Sequence, residues 1–165
     1  NNFGGFGQQG YGYNIKGLYK EISTILGLDR EYKMVIVGTG NLGQALANYT
    51  KYYKLGFPII GMFDVNPKII GLRINDIEVM DSENLLDFLN SNHVDIGIIT
   101  TDKAAAQSVA NKLVEGGVRG IWNFAPCDLK VPKNVPVENT LQILLILLFI
   151  ILSMPRMIKR KYIIR

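Results

Sequence analysis

Six consecutive residues, Gly38, Thr39, Gly40, Asn41, Leu42 and Gly43, carry the clearest chemical meaning in the chain. They follow a short apolar run, Met34–Val37, and open a helix-like stretch, Asn41–Lys54. A second apolar run, Ile59–Phe63, ends at Asp64, which lies 21 residues after Gly43. Strand, glycine loop, helix, strand and acid in this order form a dinucleotide-binding fingerprint in the setting it requires. Gly38 permits the tight turn. Gly40 has no Cβ, so a pyrophosphate can approach the backbone, and Gly43 lets the helix pack against the strand. The helix start presents free N–H groups and a positive dipole to the phosphates. Asp64 would accept hydrogen bonds from the adenosine ribose hydroxyls, and its charge would repel a 2′-phosphate. NADH and NAD are therefore favoured over their 2′-phosphorylated counterparts, a preference that the nearby Lys68 weakens slightly. Three competitors use the same loop: an S-adenosylmethionine site, an FAD site, or a Gly-rich turn that binds nothing.

Groups for catalysis are scarce. One cysteine, Cys127, excludes an intramolecular disulfide, and with the one histidine, His93, it argues against a zinc site, which wants about four N/S ligands. A Ser-His-Asp triad would have to use His93 as its base. His93 precedes the apolar run Asp95–Thr100 and so belongs to its amino end, whereas ligands of such sheets bind beyond the carboxyl ends. That makes it a surface residue on the wrong side. Cys127 follows Pro126 after the run Gly120–Phe124, on the correct side, and reads as a small packing residue. With no acid or base assembled beside a nicotinamide, binding without turnover is expected. An NAD-dependent oxidoreductase is the alternative.

These residues need a scaffold, and the apolar pattern supplies one. Continuous runs at Met34–Val37, Ile59–Phe63, Asp95–Thr100 and Gly120–Phe124 alternate with helix-like stretches at Asn41–Lys54, Glu83–Leu89 and Ala104–Glu115. This predicts an α/β fold, a Rossmann-type parallel sheet with helices on both faces. The shorter Ile77–Met80, interrupted by Glu78, is placed at a sheet edge. Asn14 can cap a helix whose stripe is Ile15, Leu18, Tyr19, Ile22, Ile25 and Leu26, with Gly27 ending it. Residues 1–13, with five glycines, read as loop or hairpin.

The chain has 165 residues, 48% hydrophobic and 19% charged, enough for one domain with its own core and unlike a disordered chain. Its net charge of +4 belongs to the end: Arg156, Lys159, Arg160, Lys161 and Arg165 are five cations, and the preceding 155 residues hold 13 basic against 14 acidic residues. A globular nucleic-acid-binding face is thus not indicated. The polar, Gly-rich start has no apolar signal-peptide core, so a reducing, cytoplasmic setting is expected. Leu141–Leu152 is apolar except for Gln142, but its 12 residues fall short of the roughly 20 that span a bilayer. It is buried by protein or seeks a membrane surface together with the basic tail; the membrane reading is the weaker one.

Longer stretches carry a resemblance. FGGFGQQGYGYNIKGLYKEISTILGLDREYK, VIVGTGNLGQALANY, FDVNPKIIG, AAAQSVANKLVEGGVRGIWNFAP and LKVPKNVPVEN together resemble the Rex family of bacterial redox-sensing transcriptional repressors, over about residues 3–139. The resemblance implies a winged-helix DNA-binding domain, a Rossmann domain, and a C-terminal helix exchanged between the subunits of a homodimer. It implies repression when NADH is low and release from the operator when NADH binds. By this correspondence residues 1–13 match the end of the wing, 14–31 a linker helix, 32–139 the NAD(H)-binding domain and 140–165 the C-terminal helix and tail. The recognition helix is not in the sequence, so operator contact is expected only through a winged-helix domain outside this chain. Gln8 and Gln9 stand where basic wing residues would help hold DNA. Gly38, Gly40 and Gly43 match the pyrophosphate loop and Asp64 the ribose acid. Tyr13 matches an aromatic near the nicotinamide, and Asn123, Phe124 and Pro126 match the lining of that pocket. Thr100, also expected at the cofactor, begins a Thr-Thr-Asp turn where the family has a Thr-Val-Pro-like one. After Asn139 the family continues Val-Asp into an amphipathic helix; here Thr140-Leu141-Gln142 follows with no further acid, which reads as an altered end.

Overall fold

The computed structural model describes residues 24, 27, 30–49 and 51–140. The expectations for Tyr13, the wing segment 1–13, most of the linker helix, Leu141–Leu152 and the basic tail lie outside the described residues. Thr24 is helical, and Gly27 has a φ of +68°, the left-handed conformation expected of a residue that ends a helix.

The first strand, β1 (Met34–Val37), leads into α1 (Asn41–Ala47), a short α2 (Lys51–Lys54) and β2 (Ile59–Asp64). Then come β3 (Arg73–Ile74), β4 (Ile77–Asp81), a 3-10 turn at Ser82–Asn84, α3 (Leu85–Ser91), β5 (Ile96–Ile99), α4 (Lys103–Glu115), β6 (Gly120–Asn123) and β7 (Val137–Asn139). The sheet order is β3-β4-β2-β1-β5-β6-β7, parallel throughout except between β3 and β4. From β1 the chain builds outward through β2 and β4. It then returns to lay β5 against the other side of β1 and builds through β6 and β7. The direction therefore reverses between β1 and β5, which opens a crevice at their carboxyl ends.

Both faces are covered, as the continuous apolar runs require. Val35 and Val37 pack with Phe63, Leu85, Leu89 and Leu113 beneath α3 and α4, while Met34 and Ile36 pack with Ala47, Met62 and Ile98 on the α1 side. At the amino edge Asp95 is buried. Its carboxylate accepts from the Lys33 amide (3.0 Å) and meets His93 Nε2 (3.2 Å) and Arg119 Nη1 (3.5 Å), while its carbonyl accepts from the Arg119 amide (2.8 Å). This polar clasp ties the starts of β1, β5 and β6. His93 is exposed there, on the side away from the crevice, as anticipated.

The structure departs from the sequence reading in three places. The single helix expected over Asn41–Lys54 is two, and α1 ends at Ala47, whose carbonyl is taken by Asn75 Nδ2 (3.0 Å) instead of by a continuing helix. The Asn48-Tyr49 pair that follows has low helix propensity. Ile77–Asp81 is not the sheet edge, because β3 pairs outside it in a hairpin. The turn residues Asn75 and Asp76 both have positive φ (48° and 65°), the pattern of a tight two-residue turn. Finally β7, three residues between Pro136 and Thr140, was not foreseen at all.

Candidate nucleotide-binding cleft

A cleft of about 220 Å³ lies at the β1–β5 crevice, bounded by Gly38, Gly40, Asp64, Thr100 and Asp102 among others. The three glycines differ in why no side chain fits. Gly38 has a φ of +101°, and a Cβ on it would stand 2.7 Å from the Thr100 carbonyl carbon. A Cβ on Gly43 would collide with the Gly38 carbonyl oxygen, so this glycine sets the approach of α1 to the loop. A Cβ on Gly40 would meet nothing within 4 Å. Among the described residues nothing requires glycine at residue 40; the space it leaves opens on the cleft and can be used by a ligand.

The acid at the end of β2 is held from the backbone. Asp64 Oδ2 accepts from the Thr39 amide at 2.5 Å and Oδ1 from the Asn66 amide at 2.9 Å. Each oxygen keeps a further lone pair for a hydroxyl donor. Thr39 is fully buried, and its side chain turns from the cleft to donate to the Phe63 carbonyl (3.2 Å). Across the crevice Thr100 Oγ1 donates to the Gly38 carbonyl (2.5 Å) and lies 3.2 Å from the Val37 carbonyl. Gln44 Nε2 reaches back from α1 to the Thr39 carbonyl (2.9 Å). Asn41 and Leu42, at the start of α1, are exposed, Leu42 to 45%.

The segment after β6 is organised by one side chain. Asn123 is wholly buried; its Nδ2 faces the Cys127 carbonyl (2.9 Å), the Ala125 carbonyl (3.3 Å) and Asn139 Oδ1 (2.8 Å), and its Oδ1 accepts from the Ala125 amide (3.0 Å). Phe124 is half-buried against Trp122, with ring centroids 5.0 Å apart, and Pro126 is exposed. The structure thus brings together the glycine loop, Asp64 and Thr100. It sets Asn123, Phe124 and Pro126 at the same carboxyl edge, outside the residues that bound the cleft. Sequence reasoning missed Val65, Ser82, Asp102, Ala105 and Val109 as cleft residues. Val65, 77% exposed beside Asp64, and Ser82, just beyond β4, follow strand ends, and that position was the available signal.

Comparison with known proteins agrees with this geometry. Residues 29–127 match the CoA binding domain family. A redox-sensing transcriptional repressor Rex from Clostridium botulinum (strain Eklund 17B / Type B) is 60% identical over 139 residues, covering 84% of this chain and 66% of the relative. The chain therefore spans slightly less than two thirds of that relative's length. Among solved structures, RSP, a Rex-family repressor, matches with TM-score 0.75 and 49% identity over 86% of this chain and 68% of RSP. RSP in complex with β-NAD+ and operator DNA matches with TM-score 0.82 and 51% identity, over 96% of this chain and 74% of that one. RSP with β-NADH matches with TM-score 0.72 and 49% identity, over 84% and 69%. A glycine loop at the switch point of a mostly parallel sheet, with this identity spread along most of the chain, leaves one assignment: the chain belongs to the Rex family of redox-sensing transcriptional repressors, with a CoA binding domain at its centre.

Proposed function

We propose that this chain is the NAD(H)-sensing part of a transcriptional repressor, binding the cofactor without turning it over. The observation that carries the reading is the open backbone at Gly40 beside the oriented Asp64 carboxylate. Gly38, Gly40 and the start of α1, exposed at Asn41 and Leu42 and closely packed at Gly43, would hold the pyrophosphate, with Leu42 supplying backbone and Thr39 orienting Asp64 through its N–H. Asp64 would take the adenosine ribose. Thr100 would border the cofactor, and Tyr13, Phe124, Pro126 and the loop that Asn123 organises would border the nicotinamide end. NAD(H) would supply a ring that is cationic when oxidised and neutral when reduced, the one large chemical difference available to a sensor. For that difference to be read, the two forms must favour different arrangements of the protein. RSP has been solved with NAD+ on operator DNA and with NADH, which supports the same pair of ligands here.

Operator contact is assigned to a winged-helix domain whose wing ends within residues 1–13, the linker to 14–31, the cofactor domain to 32–139, and subunit exchange in a homodimer to 140–165. Repression and NADH-driven release would require all four. A repressor acts where the DNA is, so the cytoplasm is the proposed location; among the described residues no helix is long and apolar enough to cross a membrane. No cluster of three or more His, Cys, Asp or Glu able to hold a metal occurs among the described residues either.

The CoA binding domain match raises a second ligand with the same adenosine-pyrophosphate core. CoA carries a 3′-phosphate on the ribose that Asp64 would face, and carboxylate against phosphate is repulsive. Calorimetric titration with NADH, NAD+, NADPH and CoA separates the readings. NADH is expected to bind most tightly, and CoA binding more tightly than NADH would reverse the assignment.

A further inference from the structure

The peptide unit joining Gly38 to Thr39 is gripped at both ends. Its carbonyl accepts from Thr100 Oγ1 at 2.5 Å, and its N–H donates to Asp64 Oδ2 at 2.5 Å. Thr100 stands at the end of β5 and Asp64 at the end of β2, the two strands that flank β1. A single amide therefore bridges the crevice, with a hydroxyl on one side and the ribose-facing carboxylate on the other. The arrangement is tight, because the Thr100 backbone lies within 2.8 Å of where a Gly38 Cβ would stand, and Thr100 Oγ1 would be 3.2 Å from one on Gly43. The peptide has little room to rotate.

From this geometry we infer that Thr100 is a positioning residue for Asp64, and through it sets discrimination between cofactors with a free ribose 2′-hydroxyl and those with a 2′-phosphate. The inference rests on the NAD(H) reading above. Two physical effects carry it. The hydroxyl fixes the peptide plane, so the Thr39 N–H points at Asp64 and anchors one carboxylate oxygen. A hydrogen bond to the carbonyl also polarises the same amide and strengthens its N–H as a donor. Without the hydroxyl the plane is held from one side only, Oδ2 is anchored less firmly while Oδ1 keeps the Asn66 amide, and the carboxylate can swing about that remaining anchor away from the ribose. No contact between Thr100 and the ribose is needed.

The test compares NADH and NADPH affinities of the full chain carrying Thr100→Val, Thr100→Ser or Asp64→Ala, and of the Thr100→Val, Asp64→Ala pair. Thr100→Val is expected to weaken NADH about five- to tenfold, the worth of one hydrogen bond, and to narrow the NADH/NADPH ratio. Thr100→Ser, which keeps the hydroxyl, should restore both. In the Asp64→Ala background Thr100→Val should no longer move the ratio, because the group it acts through is gone. If Thr100→Val does not fold, Thr100→Ala, which leaves room for a water at the Gly38 carbonyl, carries the same comparison. A weakened NADH affinity with an unchanged ratio would overturn the inference, as would Thr100→Ser behaving like Thr100→Val. Failure of the unsubstituted chain to bind NADH at all would instead overturn the cofactor reading on which the inference stands.

Discussion

At residue 40 a side chain is a selective probe, since it would occupy the ligand's space and meet none of the described residues beyond its chain neighbours. Gly40 has a φ of −69°, which any residue adopts, and apart from its chain neighbours no atom of the described residues stands within 4 Å of its missing Cβ. Gly40→Val is accordingly expected to leave the melting temperature near that of the unsubstituted protein and to abolish NADH binding. Normal binding by a normally folded variant would remove the loop from the site. The same substitution at Gly38 or Gly43 would unfold the loop and say nothing, because there the backbone itself is in the way. Asp64→Ala should cost about 1–3 kcal/mol of NADH affinity, the penalty of stranding polar ribose contacts, and calorimetry with NADH and NADPH should show their affinities converging. These residues were legible from spacing because their roles are local: a missing Cβ or a carboxylate at a strand end acts where it stands. Asn123 was not legible in the same way. The family resemblance alone points to it as part of the segment lining a pocket, and its amide bonds to the backbone of Ala125 and Cys127 and to Asn139, partners that no local pattern reveals.

Among the elements, the central strands could be read almost to the residue, because a strand buried on both faces is a continuous apolar word. Met34–Val37 is at most 2% exposed at every residue. The elements that escaped are held by long-range side-chain bonds. The end of α1 depends on Asn75, 28 residues away, and β7 depends on β6. Two consecutive β6 residues grip the last residue of β7 and the one after it: Trp122 Nε1 donates to Thr140 Oγ1, and Asn123 Nδ2 donates to Asn139 Oδ1 (2.8 Å). Their side chains leave opposite faces of the strand, so β7 is clasped from both sides although only three residues pair. Asn123→Leu should therefore destabilise the fold by about 1–3 kcal/mol, since it strands a buried amide and several acceptors. The protein's one tryptophan stands next to the change. In urea unfolding followed by Trp122 emission, the midpoint should fall and the native spectrum should shift. An unchanged midpoint would mean that the clasp contributes nothing.

For the molecule as a whole, sheet order decides where a ligand can sit, and the remaining apolar surface decides what the chain does with its end. The reversal at β1 and β5 puts the glycine loop, residues 38–43, at the carboxyl edge, next to Thr100 and beside the loop after β6. A ligand long enough to reach from Asp64 to that loop would touch residues leading directly into β7 and Thr140. The twelve residues that follow, Leu141–Leu152, are apolar apart from Gln142. Each Leu or Ile kept in water costs about 1.5–3 kcal/mol relative to burial, so a solitary chain exposing them would associate. Under the proposed exchange of this segment between subunits, the full chain is expected to scatter light as a dimer or larger species. A version ending at Thr140, which retains the Trp122 hydrogen bond, should be smaller and more soluble. It should still bind ADP-ribose, because the glycine loop, Asp64 and Thr100 all lie within the fold described. A monodisperse monomer of the full chain would rule out the exchange. Loss of ADP-ribose binding on shortening would place part of residues 141–165 at the adenosine end of the site, and the division of labour proposed here would have to be redrawn.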